Sequence, residues 1–376
     1  MLPAADIPSA DRRDRDDRCP GVLRLIEAQD GKLARVRLPG GFVSASELTA
    51  LAGAALELGD GRLELTSRGN VQLRALADSA VPELGARLAA AGLLPSPTHE
   101  LVRNIVASPL AGIDGGRDLS GLVRGLDAAL CADGRMPALS GRFLFAIDDG
   151  RGDVAASGAD LVAVVGETAA EVEGVTVAVA EVPAALVRAA LAFLDEREAQ
   201  ASSAWHVTEL AEGRSRLRAR LGAPPARRGE TSARSAAGSL PPFGRVGPAL
   251  VVAPPLGRLT AAQAHWLAAH AGGHELRITP GRRIVLPVAP AADPNVVGLI
   301  TDPASPWLLV SACAGRPGCA KALADVQADA AVAVGRFPGR RVHWSGCDRR
   351  CGRTADVEVD VVAQADGYAV SESTGG

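Results

Sequence analysis

Cys313-Ala-Gly-Arg-Pro-Gly-Cys319, followed by Cys347-Asp-Arg-Arg-Cys351, reads as C-x5-C and then C-x3-C. These are four of the chain's six cysteines, all within its last quarter. Four thiolates can hold a [4Fe-4S] cube, one sulfur to each iron. The small residues Ala314, Gly315, Pro317 and Gly318 let the backbone wrap closely around such a group. Arg316, Arg349, Arg350 and Arg353 favour thiolate over thiol and offset a cluster's negative charge. Structural zinc competes, although its paired ligands are usually spaced C-x2-4-C. Disulfides compete as well, but they suit small secreted domains, and this is a long chain without a secretory signal. Buried thiols of no function are the third reading.

Outward from the cysteines, bulk properties narrow the class. A chain of 376 residues has room for two or three domains. Aromatics make up only 3%, so Leu, Val and Ala must fill the cores. A net charge of -3 gives no basic surface for nucleic acid. No apolar run reaches membrane-spanning length. The Asp/Arg-rich start, residues 1–18, reads as a solvated tail rather than a signal peptide. A cytoplasmic location is expected, where thiols stay reduced.

The hydrophobic pattern predicts a duplicated unit. Residues 33–38 alternate as a strand, Pro39-Gly40-Gly41 turns, and Ser44 or Ser46 caps a helix with Glu47 in its first turn. A strand at 62–66 breaks at Ser67-Arg68-Gly69-Asn70 and resumes through Val71-Gln72-Leu73-Arg74. The same order returns ~210 residues later. Leu63-Glu-Leu-Thr-Ser-Arg-Gly-Asn-Val-Gln-Leu73 aligns with Leu276-Arg-Ile-Thr-Pro-Gly-Arg-Arg-Ile-Val-Leu286, which carries Arg282. Thr260 caps the second helix. Two such units are expected to pair about a pseudo-two-fold axis and leave a cleft. A strand at 307–310 should deliver Cys313, a helix should follow over 319–331, a strand at 341–344 should deliver Cys347, and a hairpin should close the chain.

Arg37-Leu-Pro-Gly-Gly41, Thr66-Ser-Arg-Gly-Asn-Val-Gln-Leu73, Arg103-Asn104 and the cysteine pairs together resemble the signature segments of the sulfite and nitrite reductase superfamily. Cys19-Pro-Gly21, Ala107-Ser-Pro-Leu-Ala-Gly112 and Ser311-Ala-Cys-Ala-Gly-Arg-Pro-Gly-Cys319 are similar to its precorrin-3B synthase branch. The resemblance covers about residues 19–370, without 221–240. It implies an α+β fold of two pseudo-symmetric halves, each a ferredoxin-like half domain plus an α/β catalytic domain. The expected division is a tail at 1–18, half domains at 19–95 and 241–291, α/β domains at 96–220 and 292–376, and a linker at 221–240.

The resemblance also implies roles. Cys313, Cys319, Cys347 and Cys351 would ligate the [4Fe-4S] cluster. Arg37, Arg68, Arg74, Arg103, Arg142 and Arg282 would hold tetrapyrrole carboxylates, a task that Arg's bidentate geometry suits. The reductases carry a Lys-Phe-Lys segment facing the inorganic anion, whereas this chain has Arg142-Phe143-Leu144. Losing one cation there argues against sulfite or nitrite chemistry. The branch implies O2-dependent hydroxylation of precorrin-3A with γ-lactone formation in aerobic cobalamin biosynthesis, with a non-haem iron beside the cluster. A siroheme-dependent sulfite or nitrite reductase is the alternative, in which Cys351 would bridge to siroheme. A cluster protein that binds a tetrapyrrole without turnover is a third. No dinucleotide fingerprint is present, so electrons would come from a ferredoxin or an NAD(P)H-linked reductase. The six histidines offer no clear iron ligand set; His270 and His274 are separated by Gly272-Gly273 and should not share a helix face.

Overall fold

Alternation in Gly31–Val36 buries Ala34 and Val36 and leaves Arg35 between them. That strand anchors the first of four sheets in the computed structural model, which describes residues 17, 19–224 and 238–372. The tail expected at 1–18 lies outside the described residues except for Asp17, as does most of the 221–240 linker. The first sheet runs Ile26–Ala28, Gly31–Val36, Val71–Leu76, Arg62–Leu65 and Arg258–Thr260, all antiparallel. The second runs Gly244–Val246, Ala249–Val252, Ile284–Leu286, Leu276–Ile278 and Phe42–Val43. Each repeat therefore lends one short strand to the other's sheet, with Leu63 opposite Leu259 and Val43 opposite Leu276.

The helices behind these sheets, Ala45–Leu58 and Ala261–Ala269, pack on each other across one shared core. Both begin with a capping box, Ser44 with Glu47 and Thr260 with Gln263. Both are preceded by a turn whose middle residue is left-handed, Gly40 at φ 66 and Leu256 at φ 56. The duplication read from the sequence is thus present, in an interlocked form.

Each repeat continues into an α/β layer. In the first, Ile105–Ala107, Phe145–Asp148 and Leu161–Val165 are parallel, and Ala169–Val172 and Val175–Ala178 complete the sheet antiparallel. Ser120–Ala132 and Val182–Ala199 cover it over a core centred on Phe143, Phe145 and Phe193. In the second, Val310–Ala312, Val342–Ser345 and Val359–Gln364 are parallel and Gly367–Glu372 returns antiparallel. The fold is α+β, as expected.

Two local expectations fail. Residues 307–310 do not form one strand: Pro306–Leu309 is a 3-10 turn, started by a proline that has no N–H to give a ladder, and the strand is Val310–Ala312. The helix expected over 319–331 is confined to Val326–Val332, capped by the Asp325 side chain. Upstream, Arg316 Nε donates to the Ala322 carbonyl (2.8 Å), taking an acceptor that a helix would use. Among the described residues, no helix is long and apolar enough to cross a membrane.

Candidate functional site

Val310–Ala312 and Val342–Ser345 are parallel neighbours, with Ala312 opposite Trp344, so both cysteine loops leave the same end of the sheet. The loops are stitched together there. Cys313 N donates to Trp344 O (2.9 Å), Leu323 N to Gly346 O (2.8 Å), and Gly346 N to Cys313 Sγ (3.1 Å). Glycine is required at 346, because a Cβ there would lie 2.6 Å from that of Ala322. Behind Cys351, Nε2 of His343 donates to the Cys351 carbonyl (3.2 Å), and burial pushes this imidazole's pKa down, toward the neutral form.

All four cysteines line one cavity of about 490 Å³, whose other walls include Ala28, Ala314, Ala322, Arg74, Lys321 and Arg349. Among the described residues, the only trio of metal-type ligand atoms within 4.8 Å of one another is that of Asp148, Asp149 and Asp153. No three of the cysteine sulfurs therefore lie within 4.8 Å of one another, whereas the edge of a zinc tetrahedron with Zn–S near 2.3 Å is roughly 3.8 Å. Four cysteines on one cavity, an amide aimed at one sulfur and small residues around them fit a cubane.

The aspartate trio is not built as a metal site. Asp148 accepts from the amides of Gly150, Gly152, Val154 and Ala155, at 2.8–3.0 Å. Asp149 pairs with Arg151, and Asp153 accepts from the Ser108 hydroxyl. These carboxylates order a loop.

A second cavity, about 420 Å³, shares Arg74, Cys313, Ala314 and Cys351 with the first and extends along Arg35, Gln72, Glu64, Arg258 and Arg282. Arg282 holds a left-handed backbone (φ 55) on this wall. For a long side chain that conformation costs about 1 kcal/mol or more.

The remaining arginines fall into three situations. Arg37, Arg68 and Arg142 gather with Arg35 around the buried thiol of Cys19. Arg68 donates to the Arg142 carbonyl (2.7 Å), and Arg142 lies 5.1 Å over the Trp205 ring. Arg37 reaches only the Pro20 and Gly141 carbonyls at 3.4 Å, and its buried Nε has no partner. Burial, and then repulsion from Arg35, pull the Arg37 pKa down to about 9. No carboxylate pairs with any of these four among the described residues, although Glu100 lies in electrostatic range of Arg37 and Asp160 of Arg68, and Asp17 bonds Cys19. Arg74 is different: Asp30 takes its Nε and Nη2 at 3.2 Å each, and Nη2 also donates to the Gly318 carbonyl (3.0 Å). It ties the first sheet to the cysteine loop and has little left for a ligand carboxylate. Arg103 stands apart, buried and bidentate on Asp127 at 2.7 and 2.8 Å, with the Leu93 carbonyl on Nη1. Its neighbour Asn104 makes the link instead, donating to Gly141 O (2.7 Å) and accepting from Asn70 (3.0 Å), while Asn70 accepts from Leu38 N (2.9 Å). The segments around 38, 70, 104 and 141 therefore meet.

Leu144 is 2% exposed and packs with Val106, Ala146 and Val154, so this position cannot offer polar contact to a bound anion. Sequence reasoning missed Arg35, although strand alternation puts it on the face of Arg37. It also gave no role to His343. His270 closes its own helix end, Nδ1 on Trp266 O (2.7 Å) and ring stacked on Trp266, and shares no helix face with His274.

Comparison with known proteins agrees with this architecture. Residues 26–91 match the profile of the nitrite/sulfite reductase ferredoxin-like half domain. The chain is 36% identical over 127 residues to the ferredoxin–nitrite reductase of Synechococcus elongatus, covering 32% of this chain and 25% of that one. It is 36% identical over 96 residues to the precorrin-3B synthase of a Sinorhizobium species, covering 26% and 20%. These matches span a quarter or less of the relatives' own length. The structure of the Mycobacterium tuberculosis NirA protein superimposes with a TM-score of 0.62 at 21% identity, over 90% of this chain and 73% of that one, and so shares its fold.

Proposed function

We propose, starting from a chain whose residues 26–91 match the nitrite/sulfite reductase half domain, that this is an iron–sulfur oxidoreductase acting on a tetrapyrrole, with the activity of a precorrin-3B synthase. The observation that carries the reading is the group Arg35, Arg37, Arg68 and Arg142, none of them held by a carboxylate among the described residues, in the same fold as a cavity lined by four cysteines. The buried Arg37 guanidinium, with half-buried Arg35 and Arg68 and exposed Arg142 beside it, would be neutralised by a polyanion, which a precorrin rimmed with acetates and propionates supplies. Arg282 adds a fifth cation on the wall shared with Cys313 and Cys351.

In this reading Cys313, Cys319, Cys347 and Cys351 would hold a [4Fe-4S] cluster, which supplies single-electron transfer. Arg35, Arg37, Arg68, Arg142 and Arg282 bind and orient the ring carboxylates. Gly346 N and the His343 imidazole fix the Cys313 and Cys351 ends of the loops. Arg74 keeps the first sheet seated on the Gly318 carbonyl. The substrate is precorrin-3A, hydroxylated with O2 as the ring A acetate closes a γ-lactone. A non-haem iron and an external donor, a ferredoxin or an NAD(P)H-linked reductase, complete the requirements. Buried Leu144 supports this over anion reduction, because position 144 presents no cation to an inorganic anion.

A siroheme-dependent nitrite or sulfite reductase is the second reading, favoured by the 127-residue match to a ferredoxin–nitrite reductase. Anaerobic purification, an absorption spectrum and an iron and acid-labile sulfide count separate the two. The precorrin reading expects about four sulfides, more than four irons and no haem bands. Strong haem bands overturn it in favour of the reductase, and absence of sulfide removes the cluster from both.

A further inference from the structure

The geometry points to His206, oriented by Asp160, as a proton-transfer group at the edge of the arginine group; this rests on the reading of that group as a polycarboxylate site. Asp160 is 3% exposed. Its carboxylate accepts from Leu144 N (3.0 Å), Val207 N (3.0 Å) and the His206 Nδ1 (3.1 Å). With two backbone donors already on it, the carboxylate is an acceptor, so Nδ1 carries hydrogen and Nε2 is the nitrogen that exchanges protons. The imidazole is 26% exposed and Nε2 makes no hydrogen bond among the described residues.

Position supports the role. The preceding residue, Trp205, lies under the Arg142 guanidinium, and Arg68 holds the Arg142 carbonyl. The segment that carries Arg142 also hangs from Asp160 through Leu144 N. One carboxylate thus fixes both the imidazole and the strand that presents the cation. The charged group that contacts His206 is Asp160; Arg142 lies over the adjacent Trp205 ring, and Arg68 is within electrostatic range of Asp160. Glu209 takes the Trp205 and His206 amides, and Arg214 donates to the Asp160 carbonyl while pairing with Glu173. A turn anchor would need only the Leu144 and Val207 amides; the half-open imidazole is surplus to that task.

The step balances simply. The Nε2–H bond of the imidazolium breaks as an O–H bond forms on an anionic oxygen of the bound molecule. Asp160 stays ionised and faces the Nδ1–H of the neutral imidazole. Solvent at the exposed edge returns the proton. Reduction of O2 and of nitrite both consume protons, so either reading of the enzyme has a use for this group.

The test is an NMR titration of 13Cε1-histidine-labelled full chain with uroporphyrin, an octacarboxylate, beside the variant His206→Asn. Asparagine keeps an N–H for Asp160 and cannot titrate. Binding is expected to shift the His206 resonance, and His206→Asn should bind uroporphyrin within about 2-fold of wild type. In turnover with precorrin-3A or nitrite, whichever the protein consumes, His206→Asn should lower kcat about 10²-fold, with imidazole restoring part of the rate. Uroporphyrin that binds without moving the His206 resonance overturns the proposal and leaves the site reading intact. Uroporphyrin that does not bind, with Arg68→Ala alike, overturns the site reading and the proposal with it. A parallel fall in binding, melting temperature and kcat in His206→Asn assigns the pair to structure alone.

Discussion

Arg35 opposite Gln72 and Val251 opposite Val285 occupy equivalent places in the two repeats. In the first repeat, the Arg35 guanidinium donates to the Gln72 side-chain carbonyl (Nε at 3.0 Å) on the wall of the second cavity. In the second, both valines are fully buried in a small apolar core with Leu110 and Ala249. The flanking positions diverge in the same way. Arg37 corresponds to Ala253, and Arg74 to Pro287. Turns, caps and strand registers are kept, while at these positions charge stands on the first copy only; the second copy adds Arg258 and Arg282 to the same cavity wall from its turns. Duplication therefore supplied two scaffolds, and the strand face of the charged wall was built on one. The other copy spends the same register on burying apolar surface, which stabilises the pair of half domains that hold the first wall in place.

The comparison can be broken in four ways. Its premise is that the charged wall serves a cluster-bearing site, so Cys347→Ser should have the largest effect and abolish acid-labile sulfide, from about four per chain to near none, as counted after anaerobic purification. Next, transplanting the apolar pair, Arg35→Val with Gln72→Val, should weaken uroporphyrin binding 10- to 100-fold, consistent with about 1.5–3 kcal/mol for charged hydrogen bonds. Equilibrium dialysis reads this, and the melting temperature should hold or rise because both replacements are apolar. The reverse transplant, Val285→Gln, buries an amide without a partner; urea unfolding should report a loss of about 2 kcal/mol and unchanged porphyrin affinity. Last, the matching left-handed turns predict opposite signs. Leu256→Gly relieves a strained backbone and should stabilise by up to ~1 kcal/mol. Gly40→Ala meets the Phe42 ring at 2.7 Å and Val123 at 3.0 Å and should destabilise by about 1–2 kcal/mol, both read by thermal melting.

Much of the scaffold was legible. Period-two alternation marked Gly31–Val36 and Val71–Leu76, the Ser44 and Thr260 caps marked the helix starts, and the Thr66 and Thr279 breaks exposed the duplication. The cysteine spacing located the loops that line the first cavity. What stayed hidden depends on partners distant in sequence. A two-residue strand such as Phe42–Val43 has no period to read, so the exchange between sheets left no trace. Arg74 and Arg103 were given one role in the sequence, that of holding tetrapyrrole carboxylates. Only the fold shows that Asp30 and Asp127 hold them, and that Asn104 rather than Arg103 joins the converging segments. Leu144 was noticed as a missing charge, but its burial follows from strand direction in a sheet that the sequence did not order.

The exchanged strands set a schedule for synthesis. Leu63 waits for Leu259, about 200 residues downstream. At roughly 5–20 residues per second, a ribosome takes some 10–40 s to deliver the partner. During that interval the Arg62–Leu65 edge has no neighbour on that side, and the apolar face destined for Ala261–Ala269 is uncovered. The cysteine loops emerge later still. The proposed cluster site is thus completed only after the half domains can lock, and the open edge and apolar face of the nascent chain stand unpaired for the period in between.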